Sequence, residues 1–311
     1  AQTGEGGFHF VDEAAPPALL KEMALEILRR RLTVVWWGNI RFERAYSKDL
    51  CRLLKASGCI AVSGGVEVAS DRVLALINKG VTLEQLTRST NHFTSAGIMV
   101  HAYLMYGFPT ETTQETIDSL EVVRQLFELG YVHSGFWHRF AMTAHSPVGL
   151  SPERFGTRVT EPPFGGFARN DVAFEDLEGG DHEGLGSGLS RSLYNYMRGV
   201  GFDLPLQRWF DFKVPVTSLP PRFVAHMAEE QEPVEKLHSR RLYWLGGRVE
   251  LGAESVKKGK HLIVLLLHAM NQEIGVKMRG DWAHFIHEML LQVGIDATTP
   301  YLLEDFSRNY E

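Results

Sequence analysis

Hydrophilic and glycine-rich groups recur just after short apolar runs. Asp12 and Glu13 follow Phe8–Val11, and Asn39, Arg41 and Glu43 cluster at the end of Thr33–Ile40. Gly64-Gly65-Val66-Glu67, with Ser70 beyond, closes Cys59–Val66. Tyr106-Gly107-Phe108-Pro109-Thr110-Glu111-Thr112 ends Ile98–Tyr106, and His138, Arg139 and His145 belong to Val132–Ala141 and its continuation. Carboxylates accept hydrogen bonds from an ammonium, the arginine fork matches a carboxylate, and a glycine lets backbone approach a flat ligand. Each group also has a plainer explanation. Asp12 and Glu13 suit a helix N-terminus, Arg41 and Glu43 can pair at a strand end, and Gly107-Phe108-Pro109 makes a good strand-to-helix turn.

The elements that must position these residues are well punctuated. Proline at 16 and 17 starts a helix carrying Leu20, Met23, Ala24, Ile27 and Leu28 on one face. Ser47 caps a second that stops at Gly58. Capping boxes Thr82/Gln85 and Thr112/Glu115 open helices that stop at Gly97 and Gly130, and a shorter helix lies between Ser70 and Gly80. Alternating strands and helices predict βαβ units on a parallel sheet, and the near-continuous apolar runs predict strands covered on both faces. Ligands of such sheets bind where the strands end, so the hydrophilic ends mark the working face.

Residues 1–150 form this unit. Residues 151–190 hold Pro162-Pro163, Gly165-Gly166 and the glycine-rich run 178–188, which predict a connection or lid with little to bury. Residues 191–311 read as a small α+β unit. Hairpins are expected at Gly246-Gly247 and at Asn271-Gln272, and a helix from Asp281 carries Trp282, Phe285, Ile286, Met289, Leu290 and Val293. Trp209, Tyr243 and Trp282 read as aromatic core.

Composition narrows the class. In 311 residues the net charge is −6, which argues against broad attraction to nucleic acid or anionic lipid. The longest apolar stretch, Leu262–Leu267, is too short to span a bilayer. Two cysteines, Cys51 and Cys59, make no disulfide framework and fit a reducing cytoplasm; both read as buried small hydrophobes. Neither they nor the nine methionines show metal-ligand spacing.

Phe8-His-Phe-Val-Asp-Glu-Ala14, Asn39-Ile-Arg-Phe-Glu43, Gly65-Val-Glu67 with Ser70, Lys79-Gly80 and Tyr106-Gly-Phe-Pro-Thr-Glu-Thr112 occur in an order and spacing that resembles the radical SAM superfamily, most nearly its methylthiotransferase-like and cobalamin-binding members. The likeness covers about the first 145 residues. It implies a partial TIM-like (β/α)6 barrel, here missing its first strand, that holds S-adenosylmethionine (SAM) and a 4Fe–4S cluster. Reductive cleavage of SAM would yield a 5′-deoxyadenosyl radical. By the resemblance, Asp12 and Glu13 hold the SAM ammonium, Arg41 its carboxylate, Glu67 the ribose, and the Gly107-Phe108-Pro109 turn the adenine. His138 and Arg139 face a small-molecule substrate, and an electron donor is the required partner.

The family's three-cysteine loop, C-x-x-x-C-x-x-C after the first strand, is not in this sequence, and Cys51 and Cys59 cannot supply three thiolates. Phe8–Val11 matches the family's second strand, and the sequence opens Ala1-Gln2-Thr3 without Met. The expectation is a truncated enzyme, inactive alone, whose cluster loop and any cobalamin-binding domain precede Ala1. Two other classes stay open: a cluster-less barrel serving as a binding module, and a barrel hydrolase or lyase using Asp12, Glu67 and His138 for acid–base chemistry. A tRNA-modifying role is a further branch of the resemblance, against which the acidic balance speaks.

Overall fold

The computed structural model describes residues 4–161, 170–229, 241–269 and 272–310. Its first half alternates β1 (Gly7–Phe10), α1 (Pro17–Arg29), β2 (Val35–Ile40), α2 (Lys48–Ala56), β3 (Cys59–Glu67), α3 (Asp71–Leu76), α4 (Leu83–Ser95), β4 (Met99–Tyr106), α5 (Thr113–Glu128) and β5 (Ser134–Arg139). The local signals act as expected. Ser47 accepts from the Leu50 amide, and both capping boxes are closed. Gly58, Gly97 and Gly130 take the left-handed conformation that ends a helix (φ 98°, 78° and 71°).

The five strands form one sheet in chain order, every neighbouring pair parallel. A doubly wound sheet reverses its order at a switch point; an unreversed one is the wall of a barrel. The molecule is thus a mixed α/β protein with a partial (β/α) barrel and additional units. Parallel pairing also brings all five carboxyl ends, and the residues that follow them, to one rim.

Coverage of the sheet differs from the two-sided burial that the apolar runs predict. Trp36, Ile40, Val62, Val66, Val100, Leu104 and Trp137 are buried on one face. There they meet Leu25 of α1, Leu54 of α2, Leu86 and Phe93 of α4, and Ile117 and Leu120 of α5. The alternate residues point to the other face, where Met99 is 50% and Phe136 56% exposed. Helices α1, α2, α4 and α5 therefore cover one side, and the inner side is open.

The main core does not break at residue 150 or 190. After α6 (Pro147–Leu150) and the antiparallel pair β6 (Thr157–Val159) and β7 (Phe174–Asp176), helix α7 (Leu185–Tyr196) packs on β5. Leu185, Leu189, Leu193 and Tyr196 join the barrel core, as do Leu206, Trp209, Phe210 and Val224, the last from α8 (Phe223–Ala228). The glycine-rich run accordingly buries more than its composition predicts, with His182 only 6% exposed. Pro162-Pro163 and Gly165-Gly166 lie outside the described residues.

A separate small core joins β8 (Arg248–Lys257), β9 (Lys260–Ala269) and β10 (Gln272–Arg279) to α9 (Gly280–Gln292), with α10 (Leu303–Tyr310) following. The hairpin expected at Gly246-Gly247 is not formed. Leu242 and Trp244 instead donate their amides to the carbonyls of Tyr301 and Val293. The tight turn is at Lys258-Gly259, where both residues have positive φ (51° and 72°), as a two-residue hairpin of matching twist requires. β9 and β10 pair antiparallel as expected, although Asn271 at their tip is outside the described residues. Trp282, read as core, is 55% exposed; Trp209 is buried and Tyr243 packs against the main core.

Truncating a fully buried side chain of α7 tests the continuity of the main core. Leu189→Ala should cost about 2–5 kcal/mol. Urea unfolding followed by Trp fluorescence should stay a single transition for the barrel and shift to lower midpoint. An unshifted barrel transition would separate α7 from that core.

Candidate functional site

The rim is built in two halves. On the β1–β3 side, Asp12 and Glu13 are exposed in the loop after β1. Asn39 anchors that loop: its side-chain amide donates to the Asp12 carbonyl (3.1 Å), and its own carbonyl accepts from the Ala15 amide (3.0 Å). The Arg41 guanidinium donates to the carbonyl of Lys79. Lys79 in turn pairs through Nζ with Glu67 Oε1 at 2.5 Å. Glu67 sits at a bulge where the β3–β4 register skips from Gly65 to Glu67, and its φ is 56°. The bulge swings its carboxylate back over Gly65, where any Cβ would collide with it. Arg41, Glu67 and Lys79-Gly80, far apart in sequence, thus form one chain of contacts. Arg41 and Lys79 also line a cleft of about 390 Å³ with Glu43, Arg44 and Gln85.

On the β4–β5 side the turn after β4 is locked from below. Gly107 has φ 75°, Thr110 has φ 67°, and Phe108 is buried against Phe140 and Phe155. Pro109 is buried as well, and Gly107 is half-buried. The buried Glu111 carboxylate accepts from the Phe108 amide (3.1 Å) and the Thr116 hydroxyl (2.7 Å). Burial pushes that carboxyl above its usual range, against the Thr116 bond and the neighbouring His182. A β-branched residue at positive φ is strained, and Thr110 is held there from three sides. Its amide donates to Asp176, and Arg72 donates to its hydroxyl (3.0 Å) and its carbonyl (2.9 Å). Arg72 also clamps Glu115 with two bonds of 2.7 Å.

His138 and Arg139, expected together on the substrate side, diverge. His138 pairs in register with Met105 and touches the rings of Tyr103 and Phe136, so it lies on the inner face. Arg139 pairs with Tyr106 on the opposite face. It lines a cleft of about 400 Å³ with Gly107, Met142, Phe174 and His182. Consecutive strand residues point to opposite faces, so the pair does not share one. His145 is exposed in the following loop.

Several residues escaped the sequence reading. Asp176 and His182 grip the β4 turn; His182 Nε2 lies 2.9 Å from the Glu111 carbonyl and its ring abuts Gly107. Nothing local in a glycine-rich run signals that contact. The inner-face positions His101, Tyr103 and Phe136 were legible, because Met99, His101, Tyr103 and Met105 alternate with Val100, Ala102, Leu104 and Tyr106. Cys51 and Cys59 are fully buried, and burial pushes the Cys59 thiol up to about 12 and that of Cys51 higher still. Neither is placed to ligate a metal.

Residues 16–123 match the Radical SAM superfamily, and the resemblance carried by the ordered motifs holds for that stretch. An uncharacterized methyltransferase of Pyrococcus horikoshii is 27% identical over 105 residues, 34% of this chain and 23% of its own length. The anaerobic magnesium-protoporphyrin IX monomethyl ester cyclase of Rubrivivax gelatinosus is 29% identical over 122 residues, 38% of this chain and 22% of its own. The match thus spans less than a quarter of either curated relative. Among solved structures, the radical S-adenosylmethionine methyltransferase TsrM of Kitasatospora setae, with cobalamin and a 4Fe–4S cluster bound, covers 52% of this chain and 32% of its own at 18% identity, with a TM-score of 0.43. Among the described residues no helix is long and apolar enough to cross a membrane.

The Arg72–Glu115 clamp has a pH signature. Burial raises the Glu115 carboxyl, but the bonds from Arg72 and Thr112 outweigh it and hold it at about 2 rather than the usual 4.5. A depressed carboxyl stabilises the fold fully above its unfolded value and loses that effect as pH falls through the folded one. Stability should therefore decline between about pH 4.5 and pH 2. In Arg72→Ala, urea midpoints should fall less steeply across that window; an unchanged slope would remove the clamp from the acid response.

Proposed function

We propose that this radical SAM domain supplies the SAM-holding rim and the substrate face of a radical SAM enzyme, acting on a small molecule with an external electron donor. The observation that carries the reading is the single rim: five parallel strands end along one edge of the sheet, where carboxylates, an arginine and a glycine turn follow them.

The donor set fits SAM. The exposed Asp12 and Glu13 carboxylates accept from its ammonium, with Asn39 fixing the loop that carries them. Arg41 takes its carboxylate; the bond to the Lys79 carbonyl uses one arm of the fork and leaves donors over. Glu67, oriented by Lys79, accepts from ribose hydroxyls. Gly107 lets backbone reach the adenine edge. When bound, SAM supplies the one-electron chemistry of the superfamily. His138 stands on the inner face, toward the substrate, whereas Arg139 belongs to the cleft beside Gly107. We assign methyl transfer as the reaction class, in line with the relative named as a methyltransferase.

The cluster does not fit this chain's own residues, since its two cysteines are buried among the helices with their thiols kept protonated. The 311-residue chain should therefore bind SAM and leave it intact. Equilibrium dialysis should show saturable SAM binding, weakened about tenfold or more by Arg41→Ala and by Asp12→Ala, as loss of a charge-assisted hydrogen bond implies. Both sites are exposed, so circular dichroism should be unchanged. After anaerobic incubation with iron, sulfide and dithionite, SAM should be recovered whole. Formation of 5′-deoxyadenosine by this chain would overturn the assignment of its cysteines, and no SAM binding would overturn the function.

A further inference from the structure

The inner face of the sheet has a shape and a polarity of its own. On the middle strand β3, the inward positions are Ala61, Ser63 and Gly65, the smallest side chains available. To one side stands Trp37 of β2, stacked on His9 of β1 with centroids 4.7 Å apart and planes 13° apart. To the other stand His101 and Tyr103 of β4, with Phe136 and His138 of β5 behind them. The centroid distances are 5.1 Å for His101–Tyr103, 6.5 Å for Tyr103–His138 and 4.5 Å for Phe136–His138. A low floor one strand wide thus runs between aromatic walls whose strands are two spacings, about 10 Å, apart. The walls are uncovered: Trp37 is 36%, Tyr103 38% and Phe136 56% exposed.

No lysine, arginine or carboxylate is among these inward positions. The Glu67–Lys79 ion pair lies over Gly65 and closes the upper end of the floor, and Arg139 is on the opposite face. The polar groups besides the wall imidazoles of His9 and His138 include Ser63, Ser134 and His101, whose Nδ1 lies 2.8 Å from Ser134 Oγ. Burial lowers the pKa of His101, so its ring is uncharged at neutral pH. A charged group seated over Ala61 and Ser63 would find no opposite charge among these side chains. A flat π system would meet ring faces and edges on both sides, with neutral donors and acceptors at the floor.

We infer that this trough binds the substrate, and that the substrate carries a flat, uncharged aromatic or conjugated ring system seated over Ala61 and Ser63 between Trp37 and the Tyr103–Phe136 wall. Calling the ring a substrate rests on the SAM reading above; the binding of the ring does not. The adenine of SAM is assigned to Gly107 on the rim, outside the trough.

The test uses the whole chain with indole and quinoline as flat probes and cyclohexanol as the saturated control, dissociation constants being read by ligand-observed NMR. Both flat probes should bind at least tenfold more tightly than cyclohexanol. Tyr103→Ala, which removes a wall, and Ala61→Leu, which fills the floor, should each weaken them by roughly fivefold to tenfold. Neither variant touches the rim, so SAM affinity measured on the same samples should be unchanged. Equal affinity for the three probes, or flat-probe binding indifferent to both variants in natively folded protein, would overturn the inference. Adenosine competing with indole for the trough would overturn it as well, by giving the trough to the cofactor. A chain that binds SAM but no ring overturns the trough alone, and one that binds the rings but not SAM overturns the proposed function alone.

Discussion

The organising constraint is the parallel, unreversed pairing of five strands, from which the position of nearly every chemically capable residue follows. Parallel pairing needs a crossover after each strand, and here each crossover supplies a helix (α1, α2, α4 and α5) that covers the same side. Pleating then sorts each strand residue by residue: Trp36, Val62, Val100, Leu104 and Trp137 go to the helices, while Trp37, Ser63, His101, Tyr103 and His138 go to the open side. The same pairing carries the five carboxyl ends to one rim. One hydrogen-bonding pattern thus produces both the working edge and the working face.

The rim needs more than a sheet to hold it, because its backbone is strained where it turns. Glu67 and Thr110 both have positive φ, a conformation L residues with a Cβ rarely adopt. Each is over-determined by charge. Lys79 holds the Glu67 carboxylate; Arg72 and Asp176 hold Thr110, and Glu111 ties the intervening turn to α5. Asp176 and His182 come from well beyond the alternating half. The segment after β5 is therefore part of what fixes the geometry of the rim, and the main core runs accordingly through α7 to α8.

What the sequence revealed and what it hid divide along a physical line. Strands, caps and helix stops were legible because their causes are local: Thr82 with Gln85, Thr112 with Glu115, and glycine at 58, 97 and 130. The shared rim was legible because parallel order follows from alternation. Partners across many residues were not: nothing near Arg72 points to Glu115, or near His182 to Gly107. The two-sided coverage that the apolar runs predict fails most plainly at β4. Its apolar run conceals a strict alternation in which the second set, His101 and Tyr103 among it, is only half hydrophobic. Turn chemistry misled at Gly246-Gly247, where the segment before it is drawn to Tyr301 and Val293, while Lys258-Gly259 took the hairpin.

The separation of His138 from Arg139 bears on how the two halves of the site divide their work. His138 shares the inner face with uncharged, aromatic neighbours. Arg139 shares a cleft with Gly107 and His182 at the rim, where charges are balanced by partners or by water. A low-charge interior excludes ionic groups by the cost of desolvating them, and a charged rim attracts them. A zwitterionic ligand is accordingly favoured at the edge and an uncharged ring within. The boundary between them falls at the bulge of β3, where Glu67 folds its carboxylate over Gly65 toward Lys79 and Ala61 and Ser63 lie open below. One extra residue in the strand thus turns the sheet from an apolar wall into a polar lip, and places the two environments within a residue or two of each other.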